Sequence, residues 1–348
     1  MNGGNINKKL ISVIIPVYNE EQNVDRAYQA IINEFKKIKS VEYEIIFTDN
    51  HSTDGTFEKL SYLANQDDRV RVLRFARNFG FQRSILTGYQ HAQGQAAIQI
   101  DCDLEDPPSV FPEFIRLWQA GHDVVVGIRT QRVEKPYMAT LRHCYYWLLM
   151  KISDVSDVPH EANGGDFRLV SRDILNQLQS VIDMQPYVRG LISELAKNQT
   201  NVQYARQKRE FGQSKFPLKQ LLKMALEGIF AYSTKPLRMA TYCGIFIAFL
   251  TTIMLSAYII LRIFFAHTWP AGFTTTTVLL LFGISLNGLF LGIIGEYIGR
   301  IYNQIRQRPA IVIEKTINID MNNTSTFNSK YPQVIIKQHA NSFFENRL

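Results

Sequence analysis

The stretch AAIQIDCDLEDPP, residues 96–108, decides the fold, because an apolar run from Ala96 to Ile100 stops at two aspartates separated by one residue. A short apolar run closed by acids and prolines reads as a buried strand followed by a loop. Asp101 and Asp103 then stand just past the carboxyl end of that strand, where an open α/β sheet binds its ligands. Two carboxylates so placed can hold a divalent ion through hard oxygen ligands. An Asp-x-Asp pair is a weak signal alone, since acids commonly decorate loops, and its position gives it weight.

Working outward, LISVIIPV (10–17), YEIIFTD (43–49), VRVLRF (70–75) and DVVVGI (123–128) repeat the apolar pattern, with stretches of helical spacing between them. Helices are expected at 21–38, 56–65, 83–92 and 110–120, the last beginning after Pro107 and Pro108, which suit a helix start. This βαβ rhythm predicts a largely parallel α/β sheet. From 136 to 152 the pattern mixes Tyr137, Leu141, Trp147 and Leu148 with Arg142, His143 and Lys151, and fits a core helix or an interfacial one.

The second half changes character. Between 216 and 232, Leu218, Leu221, Leu222, Ala225, Leu226, Ile229 and Phe230 recur near helical spacing, with Lys219 and Lys223 on another face. That reads as a helix in the membrane surface, or as an ordinary packing helix. The segment 239–261 carries no charge and, at roughly 1.5 Å per residue, reaches about 35 Å, enough to cross hydrocarbon. A second span, 271–295, is also free of charge, and Asn287 within it is suited to a hydrogen bond between helices or stands as a lone amide tolerated by lipid. Lys235 and Arg238 before the first span, and Arg300, Arg306 and Arg308 after the second, place both termini inside. Arg262 at the outer end dissents, and snorkelling accommodates it. Beyond Pro309, alternation over 310–319 predicts a strand, and the polar stretch 320–330 a partly disordered tail.

The chain has 348 residues and a formal charge of +7 from 38 basic and 31 acidic side chains, a balance that suits nucleic acid, anionic lipid or a phosphorylated substrate, a cationic membrane surface being the plainest reading. Cys102, Cys144 and Cys243 are scattered and no His cluster accompanies them, so a zinc site is excluded and a reducing compartment fits. The polar segment 1–9 is no signal peptide, and the amino-terminal domain is expected in the cytosol.

Two further strings lie at strand ends, PVYNEE (16–21) and TDNHSTDGT (48–56). Acids there can hydrogen-bond a base and ribose, though Asn19 and Asp54 also read as helix caps. Taken with DCDLEDPP and in this order, the strings resemble the inverting family 2 glycosyltransferases of GT-A fold. RNFGFQRSILTGYQHAQG (77–94), GIRTQR (127–132), NGGDFRLVSR (163–172) and REFGQSKF (209–216), followed by a two-helix anchor, are similar to the polyisoprenyl-phosphate glycosyltransferases, which include dolichyl-phosphate mannose synthases and bacterial undecaprenyl-phosphate sugar transferases. The match runs from residue 10 to 308.

The resemblance implies a Rossmann-like GT-A domain over 1–215, an amphipathic juxtamembrane helix over 216–236, transmembrane helices over 237–262 and 271–296, and a cytosolic strand and tail over 297–348. It implies an integral protein of the bacterial plasma membrane. Pro16, Tyr18, Glu20, Asp49, Asp54 and Arg129 would border the nucleotide-sugar donor, with Arg129 on the diphosphate. Asp101 and Asp103 would hold Mg2+ or Mn2+. Asp166 would border the reaction centre, and on a strand it shares a side with Arg168. Arg209, Ser214 and Lys215 would bind the phosphate of the polyisoprenyl acceptor at the headgroup level, with Arg206 and Lys208 nearer a general contact to anionic lipid.

By analogy with bacterial relatives, the donor is UDP-glucose and the acceptor undecaprenyl phosphate, in a pathway feeding O-antigen or wall glycosylation. Homo-oligomers, including tetramers, are expected, and no nucleic-acid partner. Two departures stand out: Asn50 and His51 where the family often has Asp-Gly, and Glu105 where it often has Gln. A processive polysaccharide synthase is the nearest rival, but Trp118, Trp147 and Trp269 lack the Gln-x-x-Arg-Trp context. A noncatalytic membrane scaffold is the other, and the intact Asp101, Asp103 and Asp166 argue against it.

Overall fold

Ile11, Val13 and Ile15 of β1 (Lys9–Val17) alternate with Ile14, and the two sets enter different cores on opposite faces of one sheet. The first set packs with Val24 and Ile31 of α1 (Val24–Phe35), Leu60 of α2 (Thr56–Gln66) and Phe114 of α4 (Phe111–Gln119). Ile14 joins Ile46 of β2 (Val41–Asp49), Leu73 of β3 (Val70–Phe75) and Ile85 of α3 (Phe81–His91). Burying each such side chain contributes about 1.5–3 kcal/mol. Gly88 of α3 is the closest approach, since a Cβ there would meet Ile14 Cγ2 at 2.3 Å.

The computed structural model describes residues 8–130, 164–181, 183–184, 186–206, 235–264, 273–306, 309, 311–319 and 334–336. After β4 (Ala96–Gln99), the chain runs through a short 3-10 turn and α4 to β5 (Val124–Arg129), β6 (Gly164–Ser171), α5 (Arg172–Leu178), α6 (Val188–Leu195) and β7 (Gln199–Tyr204). Among the described residues, with β8 (Ile311–Ile317) and β9 (Val334–Ile336) at one edge, the sheet has nine strands in the order β7-β5-β6-β4-β1-β2-β3-β8-β9. The expected parallel pairing holds for β4, β1, β2 and β3. β6 departs from it, inserting antiparallel between β4 and β5.

The strand expected near 310–319 is β8 (Ile311–Ile317), and it lies antiparallel on β3, with β9 (Val334–Ile336) beyond it. Alternation foretold a strand there without naming its partner. By internal contacts the chain divides into two units, and β8 and β9 belong with the sheet in the first.

The second unit holds α7 (Lys235–Phe264) and α8 (Phe273–Ile305), which pack on each other. Phe246 and Phe249 are each 65% exposed and Leu291 66%, apolar exposure that is unfavourable in water. By length and composition, Phe282–Gly299 of α8 is the one described stretch long and apolar enough to cross a membrane, and the apolar stretch of α7, Leu237–Ile247, is shorter. The helix expected at 136–152, the juxtamembrane segment before residue 235, the connector 265–272 and the polar stretch 320–330 lie outside the described residues.

Candidate active site

Pro16 shapes the carboxyl edge through what it lacks. Ile14 accepts from the Ile100 amide at 3.0 Å, and two residues on, Pro16 turns its backbone to the same side with no N–H to give. The β1–β4 ladder stops there, β4 ends at Gln99, and Asp101 to Asp103 leave the sheet.

Within the released loop, Asp101 Oδ1 accepts from Gln99 Nε2 at 2.9 Å and Asp103 Oδ1 from the Glu105 amide at 3.1 Å. Desolvation, then the negative charges of Asp106, Asp103 and Asp166, push the Asp101 carboxyl up to about 7. Asp106, 2% exposed, accepts from Arg129 Nε at 3.1 Å and Nη2 at 2.9 Å, and from the Tyr204 hydroxyl at 2.5 Å. This ties the loop to the ends of β5 and β7. Arg129, expected on the donor diphosphate, is thus engaged by Asp106. Glu105 pairs with Arg206 just past β7.

Asp166, near the start of β6, is held bidentately by Arg189 of α6, both oxygens at 2.7 Å. Burial acts to raise its pKa, but the Arg189 charge and hydrogen bonds, with Arg168, outweigh that and keep the carboxyl below its usual range. Arg168, 4% exposed, donates to the Gly165 carbonyl at 2.9 Å. The antiparallel register that sets Gln99 opposite Arg168 brings Asp101 and Asp166, each two residues on toward the same edge, close together, and the Asp166 charge acts on Asp101.

The loops after β1 and β2 are laced together. Asn19 Oδ1 accepts from the Thr53 amide at 2.8 Å, and the Glu20 amide donates to Thr56 Oγ1 at 2.9 Å. Glu20 Oε2 takes Asn23 Nδ2 at 2.6 Å. Asp54 Oδ1 accepts from the Thr56 amide at 3.1 Å, an Asx-turn at the start of α2 and nearer the cap reading than a ligand contact. Asn19 caps no helix, since α1 begins only at Val24. Asp49 is fully buried, with Oδ1 on the Ser52 amide at 2.9 Å; desolvation raises its pKa against these bonds and Arg74. Tyr18 stands out from the edge, 46% exposed.

Asn50, in place of the family's Asp, uses Oδ1 to accept the Phe79 amide at 2.8 Å. Asn19 (φ 56°), His51 (φ 63°) and Leu104 (φ 57°) all adopt left-handed backbone in the turns that follow β1, β2 and β4. Such strain concentrates where function over-determines the chain.

Among the described residues, no three His, Cys, Asp or Glu side chains group into a metal centre by themselves. Asp101 and Asp103 nonetheless fit a cation completed by phosphate oxygens. Both supply hard oxygen, and the charge crowding that raises Asp101 is what a cation would relieve.

Arg209, Ser214 and Lys215 lie outside the described residues. Sequence reasoning missed Asp106, Tyr204 and Arg189. Asp106 closes the quoted DCDLED string and was legible as an acid, but Tyr204 and Arg189 sit in no motif, and only the fold brings them to their partners.

The family model "Glycosyl transferase family 2" matches residues 12–178. An uncharacterised glycosyltransferase, YkcC, of Bacillus subtilis (strain 168) is 37% identical over 311 residues, covering 89% of this chain and 94% of the relative. A prophage-derived bactoprenol glucosyl transferase of Shigella flexneri is 36% identical over 308 residues, covering 88% and 98%. Among solved structures, glucosyl-3-phosphoglycerate synthase from Mycobacterium tuberculosis superposes with a TM-score of 0.43 at 20% identity, covering 64% of this chain and 77% of that one.

Proposed function

The chain belongs to glycosyltransferase family 2, and from that premise we propose that it transfers glucose from UDP-glucose to a polyisoprenyl phosphate, with inversion, at the cytosolic membrane face. The observation that carries this reading is the antiparallel β4–β6 register, which sets Gln99 opposite Arg168 and so brings Asp101, with Asp103 just beyond it, to the same sheet edge as Asp166. The bactoprenol named for the Shigella relative, matched over nearly its whole length, supports the acceptor class.

Asp101 and Asp103 would hold Mg2+ or Mn2+, which when bound supplies positive charge to the departing diphosphate. Asp106 fixes the loop that carries them by holding Arg129 and Tyr204. The exposed ring of Tyr18 offers a face for the nucleobase. Arg209, Ser214 and Lys215 would orient the lipid phosphate.

A phosphomonoester is largely dianionic near neutral pH and needs no strong base. An acceptor oxygen forms the new bond to the anomeric carbon while the bond to the donor phosphate oxygen breaks, its electron pair leaving with the nucleoside diphosphate. Asp166, ionised and clasped by Arg189, positions groups rather than abstracting a proton. The apolar α7 and α8 would anchor the enzyme as a two-helix hairpin with both termini inside.

Membranes bearing the full-length protein, given undecaprenyl phosphate and radiolabelled UDP-glucose, UDP-galactose or GDP-mannose in separate reactions, test this. Label from UDP-glucose should enter the solvent-extractable lipid as a β-linked phosphate sugar. Absence of labelled lipid with every donor overturns the reading.

A further inference from the structure

β8 does more than widen the sheet. It pairs Ile317 with Val72, Thr316 with Leu73, Lys315 with Arg74 and Ile313 with Phe75, so Glu314 is the extra residue of a β-bulge. A bulge re-aims a side chain. This one lies at the end of β3 where Arg74 is paired with Asp49 of β2, at the edge read as the donor site.

Glu314 Oε2 lies 3.5 Å from Arg74 Nε and 3.4 Å from His51 Nδ1. Arg74 Nη1 lies 3.4 Å from Asp49 Oδ2, and its guanidinium covers the Phe57 ring at 4.2 Å. The arginine therefore bridges two carboxylates from different strands. Asp49 Oδ2 and Glu314 Oε2 are both buried and make no hydrogen bond, so Arg74 is the cation set against both.

His51 Nδ1 is also 2.9 Å from the Phe75 carbonyl. Both its neighbours are acceptors, so Nδ1 carries the hydrogen. The bulged glutamate thus meets the residue that departs from the glycine of the family string.

We propose that Glu314 and His51 are positioning residues for the donor nucleotide: through Arg74 they fix Asp49 and the loop that follows it, so that the strand after the apolar helices completes the donor site. The inference rests on the reading of the 49–54 loop as a nucleoside-diphosphate site.

The test uses full-length protein in detergent, with calorimetry of UDP in the presence of Mg2+ and steady-state kinetics for both substrates. Glu314→Gln and His51→Asn should each weaken UDP binding about five- to tenfold and raise the donor KM by the same factor, with kcat and the acceptor KM unchanged; because the two residues act as one unit, the double variant should be within about twofold of the worse single. Asparagine tolerates left-handed backbone, so His51→Asn removes the imidazole without adding strain. Glu314→Asp should recover part of the affinity, which a purely structural role would not require.

If both single variants bind UDP as the wild type does, or if donor and acceptor KM rise together, the proposal is overturned. Should Glu314→Gln fail to fold, His51→Asn decides alone. A wild-type protein that binds no nucleoside diphosphate sinks the underlying donor-site reading, whereas wild-type binding matched by the variants sinks only this inference.

Discussion

On the β4–β6–β5–β7 side of the sheet, acids of the candidate site are held by arginines: Asp106 by Arg129, Asp166 by Arg189 and Glu105 by Arg206. Asp101, amid them, takes a neutral amide from Gln99 instead. On the β1–β2 side, the loops are laced mainly by neutral donors, Thr53, Thr56, Ser52 and Asn23. The contrast teaches where positive charge is wanted. One side ties its loops mostly with neutral bonds, the Arg74 bridge between Asp49 and Glu314 apart, and the other sets arginines on Glu105, Asp106 and Asp166 while Asp101 meets an amide.

The harshest way to break this comparison is Asp101→Asn. If the Asp-x-Asp pair holds the cation, the variant should lose about a thousandfold in kcat, the scale of removing one preorganised electrostatic contact to a transition state. Its metal-free form should melt no lower than the wild type at pH 8, because it no longer buries a crowded charge. Turnover assays and thermal melts check both, and an active Asp101→Asn enzyme would abolish the distinction between the two sides.

Arg189→Ala comes next. It leaves the buried Asp166 beside Arg168 without its bidentate partner, and since Arg189 is 31% exposed, solvent screens part of the loss. About 2 kcal/mol of stability should go, below the range for fully buried pairs. Turnover should fall about a hundredfold if Asp166 positions the reacting groups. Arg189→Lys should recover stability better than turnover, because a lysine restores charge but not the two-pronged grip. A wild-type rate for Arg189→Ala would leave the pair a purely structural strut.

The raised Asp101 sets a pH dependence of fixed sign. Its contribution to stability is full below the unfolded pKa near 4 and is lost as pH climbs through about 7. The metal-free protein should therefore melt progressively lower over that window. A divalent cation requires the ionised carboxyl, so added Mg2+ or Mn2+ should raise Tm more at pH 8 than at pH 6. Equal shifts at both values would detach Asp101 from the cation.

Much of this contrast was legible in the chain, for reasons that differ by residue. Periodicity placed β1 to β5 and their helices because buried strands and amphipathic helices each leave a repeating apolar signature. Asp101, Asp103 and Asp166 stood out as candidates because each sits in a distinctive string at a strand end. The insertion of β6 and the partner of β8 were hidden, since pairing is settled by contacts far apart in sequence. Arg189 and Tyr204 were hidden for the same cause. Pro16 was named for a nucleotide contact, while its place in the sheet points to ending a ladder.

The smallest effect should come from Glu105→Gln, which restores the residue common in the family string. Glu105 and Arg206 are 20% and 36% exposed, so water already screens their attraction, and such a pair contributes no more than about 1 kcal/mol. Glutamine still offers an oxygen to the guanidinium. Stability should change by about 0.5 kcal/mol or less and kcat by about twofold or less, while the cation requirement stays within about twofold. A metal titration of activity reads the last quantity. A loss approaching that of Asp101→Asn would move Glu105 out of the arginine-held set and into the cation-holding pair, and the division of labour along this edge would have to be redrawn around three acids.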